Sequence, residues 1–199
     1  YQPATLAPPE DKRAIEVERL VDLANRILNE RGRVGGVFKG ADDREAIEDI
    51  LRVGTSAGGA RAKAILAWNP DTGEFRSGQV PFDEGFEPWI MKFDGISTHD
   101  ETELSTPKGY GRIEYAYHLM AVEAGVEMAE CRLHHEGGRS HFMTRRFDRT
   151  ATGDKLHMQS LCALAHYDFN APGAHSYEQA LYVIRRLGLP METVEQQFR

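Results

Sequence analysis

Residues 54–59, Gly-Thr-Ser-Ala-Gly-Gly, place Gly54, Gly58 and Gly59 around Ser56 in a stretch of small side chains. Bare backbone of this kind lets N–H groups approach phosphate oxygens, because no Cβ stands in the way. The stretch does not match GxGxxG. It does not match the Walker pattern either, since Ala60-Arg61 follow Gly59 where Lys and Ser or Thr are needed. An ordinary loop before a strand is the plainer reading. Lys92 lies inside the apolar run Ile90-Met91-Lys92-Phe93. Lysine is rarely buried without a partner. On one face of a sheet Lys92 can reach a phosphate; on the other it faces solvent. Glu114 opens the next helical pattern, where it either holds the Lys92 ammonium or simply favours the first helical turn. Phe142–Arg149 reads as a strand running into a loop. Its backbone can pair with an adenine and Asp148 can accept from ribose hydroxyls, or it is a basic strand end entering a turn.

Other chemistries fare worse. Eight histidines include the adjacent His134 and His135, which point to opposite faces of a strand, and no HExxH occurs, so a metal centre is not expected. No GxSxG elbow supports a Ser nucleophile. Cys131 and Cys162 make no CxxC and read as small buried hydrophobes in a reducing cytosol.

The elements that must position these residues follow from periodicity. A Pro-rich lead-in covers residues 1–9. A helix is predicted over Glu10–Arg31, with Val17, Leu20, Val21, Ala24, Ile27 and Leu28 on one face, and a shorter one over Asp43–Arg52. Strands are predicted over Ala62–Trp68, Glu74–Gly78 and Trp89–Asp94, with a turn at Asn69–Gly73 and a polar loop at 95–111. Arg112–Ala124 reads as a helix packing the stripe Ile113, Ala116, Tyr117, Met120 and Ala121. Strands follow over Met128–Leu133 and Ser140–Phe147. Helices are predicted near 156–167, 176–187 and 191–198. Segregated strands and helices argue for an α+β fold. Residues 1–52 form a helical lead-in, 53–150 a sheet with the glycine-rich loop, and 151–199 a helical segment.

The chain has 199 residues, 41% hydrophobic and 28% charged, a globular balance. Its formal net charge of −7 argues against direct nucleic-acid binding. No apolar run approaches the ~20 residues of a membrane span, and no signal peptide is apparent, so a cytoplasmic protein is expected. The first residue is Tyr1 rather than Met, which reads as a processed or partial chain.

Taken in order, Gly54–Lys63, Trp89–Asp94, Glu114 in its helix, Thr144–Arg149 and the segment His157–Leu164 with His166-Tyr167-Asp168 resemble the HipA-like serine/threonine kinases. These are the toxins of bacterial toxin–antitoxin pairs. The resemblance covers at least residues 53–187. It implies a kinase-like fold with a mixed N-lobe and the beginning of a helical C-lobe. It implies that residues 54–59 cover the phosphates of ATP and that Ser56 is an inactivating autophosphorylation site. It further implies that Lys92 binds phosphate with help from Glu114, and that residues 145–148 form the hinge. There Arg145 belongs to the hinge strand, Phe147 lies at adenine and Asp148 at ribose. The implied partners are a protein substrate, with an aminoacyl-tRNA synthetase as the best-known class, and a DNA-binding antitoxin.

Two departures follow. His166–Asn170 echoes a kinase catalytic loop, but Asn170 follows Asp168 by two places where that loop has five. It reads instead as a helix end before the Pro172-Gly173 turn. In the family, the catalytic base and the magnesium-binding Asp lie beyond the helix with which this sequence ends, and a further segment precedes Tyr1. The chain therefore reads as a central fragment with no catalytic residue and no magnesium ligand of its own, inactive alone. The alternative is a non-catalytic protein-binding module or a degenerate kinase-like domain.

Overall fold

The structure, a computed structural model, describes residues 14–18, 20–21, 63–78, 83–95, 109–150, 153–171 and 173–199. The glycine-rich loop with Gly54, Ser56, Gly58 and Gly59, the 43–52 helix and most of the 10–31 helix lie outside the described residues.

Alternation of apolar side chains builds a five-stranded sheet. Its strands are β1 (Lys63–Trp68), β2 (Phe75–Ser77), β3 (Glu87–Lys92), β4 (Cys131–Glu136) and β5 (Arg139–Arg145). They lie in the order β2-β1-β3-β5-β4, and every neighbouring pair is antiparallel. Local chemistry closes the short connections. Asn69 Oδ1 accepts from the amides of Asp71 and Thr72 at 2.9 and 3.1 Å, which turns β1 into β2. Gly137 and Gly138, with φ of 55° and 71°, form the two-residue turn joining β4 to β5, a conformation that side chains disfavour. One helix, α1 (Tyr110–Glu123), is inserted between β3 and β4. After β5 come α2 (Leu161–Ala165), α3 (Tyr177–Arg186) and α4 (Met191–Phe198). The fold is α+β, as the segregated patterns predicted. Among the described residues no helix is long and apolar enough to cross a membrane.

The two sheet faces differ in kind. On one, Ala64, Leu66, Phe75, Trp89, Met91 and Met143 are buried against Ile15, Val17, Leu20 and Val21. Val17, Glu18, Leu20 and Val21 are helical, but Ala14, Ile15 and Glu16 are not, so the helix predicted from Glu10 begins later, after the Ile15 amide has bonded to the sheet. The Ile15 amide donates to Phe75 O at 2.7 Å and fastens this segment to the edge strand. Trp68 meets Trp89 edge-on at 5.6 Å, and Arg132 lies 5.1 Å over the Trp68 ring. On the other face, strand alternation places Lys63, Lys92, Phe142 and Cys131.

Several predicted elements are corrected. The predicted 128–133 strand starts three residues later, because the Gly137-Gly138 turn fixes its register against β5. The predicted 156–167 helix shrinks to Leu161–Ala165. Ser160 caps its start by accepting from the Ala163 amide, and His166 leaves it at φ 56°. Cys131 is buried, but Cys162 is only half-buried. The predicted stripe of α1 is also rotated. Ile113, Tyr117 and Met120 are 52%, 68% and 61% exposed. Gly111 is buried, and Glu114, Tyr115, His118 and Ala121 are the half-buried positions.

Gly111 is the reason α1 sits so close. A Cβ there would lie 1.9 Å from Ser140 O on β5. Arg112 Nε, next in sequence, donates to Ser140 Oγ at 3.1 Å, and His135 Nδ1 lies 3.0 Å from the same oxygen. Gly111→Ala must push α1 away from β5, and we expect a loss of about 1–3 kcal/mol in urea unfolding, as in other overpacked contacts.

His141 gives a pH signature. It is buried, and its Nδ1 accepts from the Asp94 amide at 3.0 Å. Burial, then the neighbouring His134 ring, pushes its pKa down to about 4; Arg139 and His135 act in the same direction and Asp94 opposes them. The unfolded imidazole titrates near ~6.5. Between these values the unfolded chain binds more protons than the folded one, so stability is complete above about pH 6.5 and falls as the pH drops towards about 4. The loss attributable to His141 is on the order of 3 kcal/mol. Urea midpoints measured from pH 7 to 4 should fall less for His141→Asn than for the wild type.

Candidate functional site

Lys92 ends β3, on the face opposite the core. A lysine at that position needs a counter-charge, and α1 supplies it: the Lys92 ammonium donates to Glu114 Oε2. Both side chains are half-buried. The ammonium also lies 5.5 Å from the centroid of Phe142, its register partner on β5. Sequence reasoning singled out both members of this pair, and the structure joins them across 22 positions of chain.

Across the other edge of β3, Lys63 on β1 is the register partner of Lys92. Sequence reasoning placed Lys63 only at the end of the glycine-rich stretch, with no connection to Lys92. Its distance from Lys92 in sequence hides a neighbourhood that appears only once β1 and β3 are paired in register. Burial holds the Lys63 pKa below the ordinary lysine value. The positive charge of Lys92 adds to that, and Glu114 partly offsets it. Two ammonium groups and one carboxylate therefore share this end of the sheet face. In the sequence, Gly59 precedes Lys63 by four residues.

Cys131 is on the same face, through its register with Thr144. Burial pushes its thiol pKa up, which keeps it a thiol and makes it a poor nucleophile. Among the described residues no group of three His, Cys, Asp or Glu side chains is placed to hold a metal ion.

A second cluster forms at the opposite end of β3. Trp89, rather than Lys92, is the register partner of Arg145, so the two clusters are three residues apart along the strand, about 10 Å. Arg145 pairs with Glu87 at 3.1 Å and Glu130 at 3.6 Å. The Arg146 amide donates to Pro88 O at 2.9 Å, which extends the β3–β5 pairing past the end of β5. The Arg146 guanidinium binds Asp148 through two bonds of 2.8 and 2.7 Å. Arg149 adds a third, 2.8 Å to Asp148 Oδ2. The hydrogen bonds from Arg146 hold the Asp148 carboxyl below the usual carboxylate range, against its partial burial. Phe147, between these residues, is 73% exposed. The segment thus offers an exposed aromatic ring beside a carboxylate locked by two arginines.

The echo at His166–Asn170 resolves as local structure. His166 closes α2 in the left-handed region, and Asp168 Oδ1 accepts from the Asn170 amide at 2.9 Å. This is an Asx-type turn that satisfies its own backbone. Beyond it, Ser176 and Gln179 form a reciprocal cap on α3. Gln196 and Arg199 of the C-terminal segment bond to the turn after α1. Gln196 Oε1 accepts from Glu127 N at 2.9 Å, and Arg199 Nη1 donates to Gly125 O at 2.9 Å.

A search of curated proteins gave no match to the chain. The model of one family, the HipA-like C-terminal domain, matches residues 55–199, a stretch that takes in β1–β5, the Lys92–Glu114 pair and the Arg145–Arg149 cluster. With about three-quarters of its length matched by that model, the chain belongs to the HipA-like family.

Proposed function

We propose that the chain carries the ATP-binding half of a HipA-like serine/threonine protein kinase, with a kinase-like arrangement of its sheet. The observation that carries this reading is the ion pair between Lys92, on the third strand, and Glu114, on the helix that follows. In protein kinases a lysine on the third strand contacts the nucleotide phosphates and is held by a glutamate from the following helix. The chemistry is electrostatic. Glu114 orients the ammonium, and Lys92 offers its remaining protons to phosphate oxygens. Residues 54–59 would fold over the same phosphates. The adenine would lie against Phe147 and the backbone of 145–148. A ribose hydroxyl donating to Asp148 would share that carboxylate with Arg146 and Arg149. No residue of the chain is assigned as catalytic base or magnesium ligand. The proposed partners are those the family implies, a DNA-binding antitoxin and a protein substrate such as an aminoacyl-tRNA synthetase.

A protein-binding module without catalysis is the second reading. It is favoured by the outward face of α1, where Ile113, Tyr117 and Met120 are exposed.

Titration of the labelled chain with magnesium-ATP, followed by NMR, separates the two. We expect weak binding that shifts the resonances of β3, Phe147 and Asp148. Lys92→Met should weaken it about 10- to 100-fold, the loss of one charge-assisted bond. Unchanged spectra at saturating nucleotide would leave only the protein-binding reading.

A phosphate on Ser56 adds about −1.5 to −2 charges near the proposed phosphate site. It would repel nucleotide and compete for Lys63. In the full-length protein, Ser56→Asp should therefore abolish ATP binding while Ser56→Ala retains it. Equal responses from the two variants would remove support for a switch at this residue.

A further inference from the structure

The cation and the carboxylate of the Lys92–Glu114 pair come from different elements, so their meeting depends on what fixes the end of β3 relative to the start of α1. Two residues past Lys92, Asp94 makes both connections. Its amide donates to Nδ1 of the buried His141 at 3.0 Å, and its carbonyl accepts from Arg139 Nη1 at 3.3 Å. Its two carboxylate oxygens accept from the Gly109 amide at 2.9 and 3.0 Å. Gly109 is the N-cap of α1, at φ 109°, and has no side chain with which to cap the helix itself. Asp94 therefore provides the capping acceptor from another part of the chain. His141 is in turn locked in β5, with Phe93 edge-on at 5.8 Å and His134 stacked at 6.3 Å. The next contact along α1, Gly111 against Ser140, reaches the residue adjacent to His141.

We propose that Asp94 and His141 are positioning residues of the Lys92–Glu114 pair: His141 fixes the chain just after Lys92, and the Asp94 carboxylate sets the position of the helix that presents Glu114. The proposal does not depend on nucleotide binding, and no nucleotide enters its test. Neutral His141 must carry its proton on Nε2, because Nδ1 accepts from Asp94. Asn at 141 keeps an acceptor close to the Nδ1 position, whereas Leu removes it.

The test is a double-mutant cycle on the full chain. Lys92→Met, Glu114→Gln and the double variant are compared by thermal unfolding, and the non-additive part of the midpoint shift reports the coupling of the pair. The cycle is then repeated in the Asp94→Ala, His141→Leu and His141→Asn backgrounds. We expect coupling in the wild type, a fall of at least twofold with Asp94→Ala and His141→Leu, and retention with His141→Asn. A merely structural role would lower the midpoints and leave the coupling intact. Undiminished coupling in either disruptive background that folds overturns the proposal, as does the absence of coupling in the wild type. If His141→Leu does not fold, Asp94→Ala decides the outcome, and Asp94→Asn, which keeps one acceptor for Gly109, should restore at least part of the coupling.

Discussion

A half-buried ammonium group on a sheet face is best satisfied by a negative partner, and Lys92 has one in Glu114. That requirement constrains much of the molecule. It sets the rotation of α1 about its own axis, because Glu114 must face the sheet. It works together with a bare helix start, since only glycine at 111 lets the backbone of α1 lie against Ser140 O. It leaves the more apolar side of the same helix facing outward. Packing of hydrophobic surface would have favoured the opposite rotation. Here a single ionic contact and a close backbone approach prevail.

The sheet divides the labour between its faces. One is an apolar core closed by Ile15, Val17, Leu20 and Val21, with aromatic rings crossing from Trp68 to Trp89 and from Phe75 to His134. The other holds Lys63, Lys92 and the α1 contacts. β3 belongs to both. Trp89 and Met91 anchor it from below, so the alternating residues Ile90 and Lys92 are held on a stiff support. Rigid backing of this kind is what a binding side chain needs if its position is not to be lost in thermal motion.

Much of this was legible in the sequence, for identifiable reasons. The strand at Lys63–Trp68, the Asn69–Gly73 turn and the capped helix after Ser176 depend on local periodicity and side-chain hydrogen bonds, which a window of a few residues contains. The pairing of Lys92 with Glu114 was legible from Lys92, a cation in an apolar run; Glu114, which the sequence puts in the first helical turn, lies in the second turn of α1 because the helix starts at Tyr110. The stripe of α1 was misread because Ile113, Tyr117 and Met120 have helical spacing, whereas Gly111 and Glu114 have no apolar signature. The role of Lys63 lies in strand register, which is a long-range property. The arginine clamp on Asp148 involves residues only one and two positions away, yet their types suit a ligand contact equally well. The glycine-rich loop lies outside the described residues, and its part in the site rests on sequence.

The strand order has a consequence for how this chain meets other chains. Among the described residues, the two outer strands of the sheet are β2 and β4. β2 is only three residues long, too short to template a long run of backbone hydrogen bonds. β4 is longer, but it carries Arg132, His134, His135 and Glu136 in near succession. An incoming strand would have to set its side chains beside a row of polar and charged groups. Edge-to-edge association, the usual hazard of an open antiparallel sheet, is thus discouraged by brevity on one side and by charge on the other.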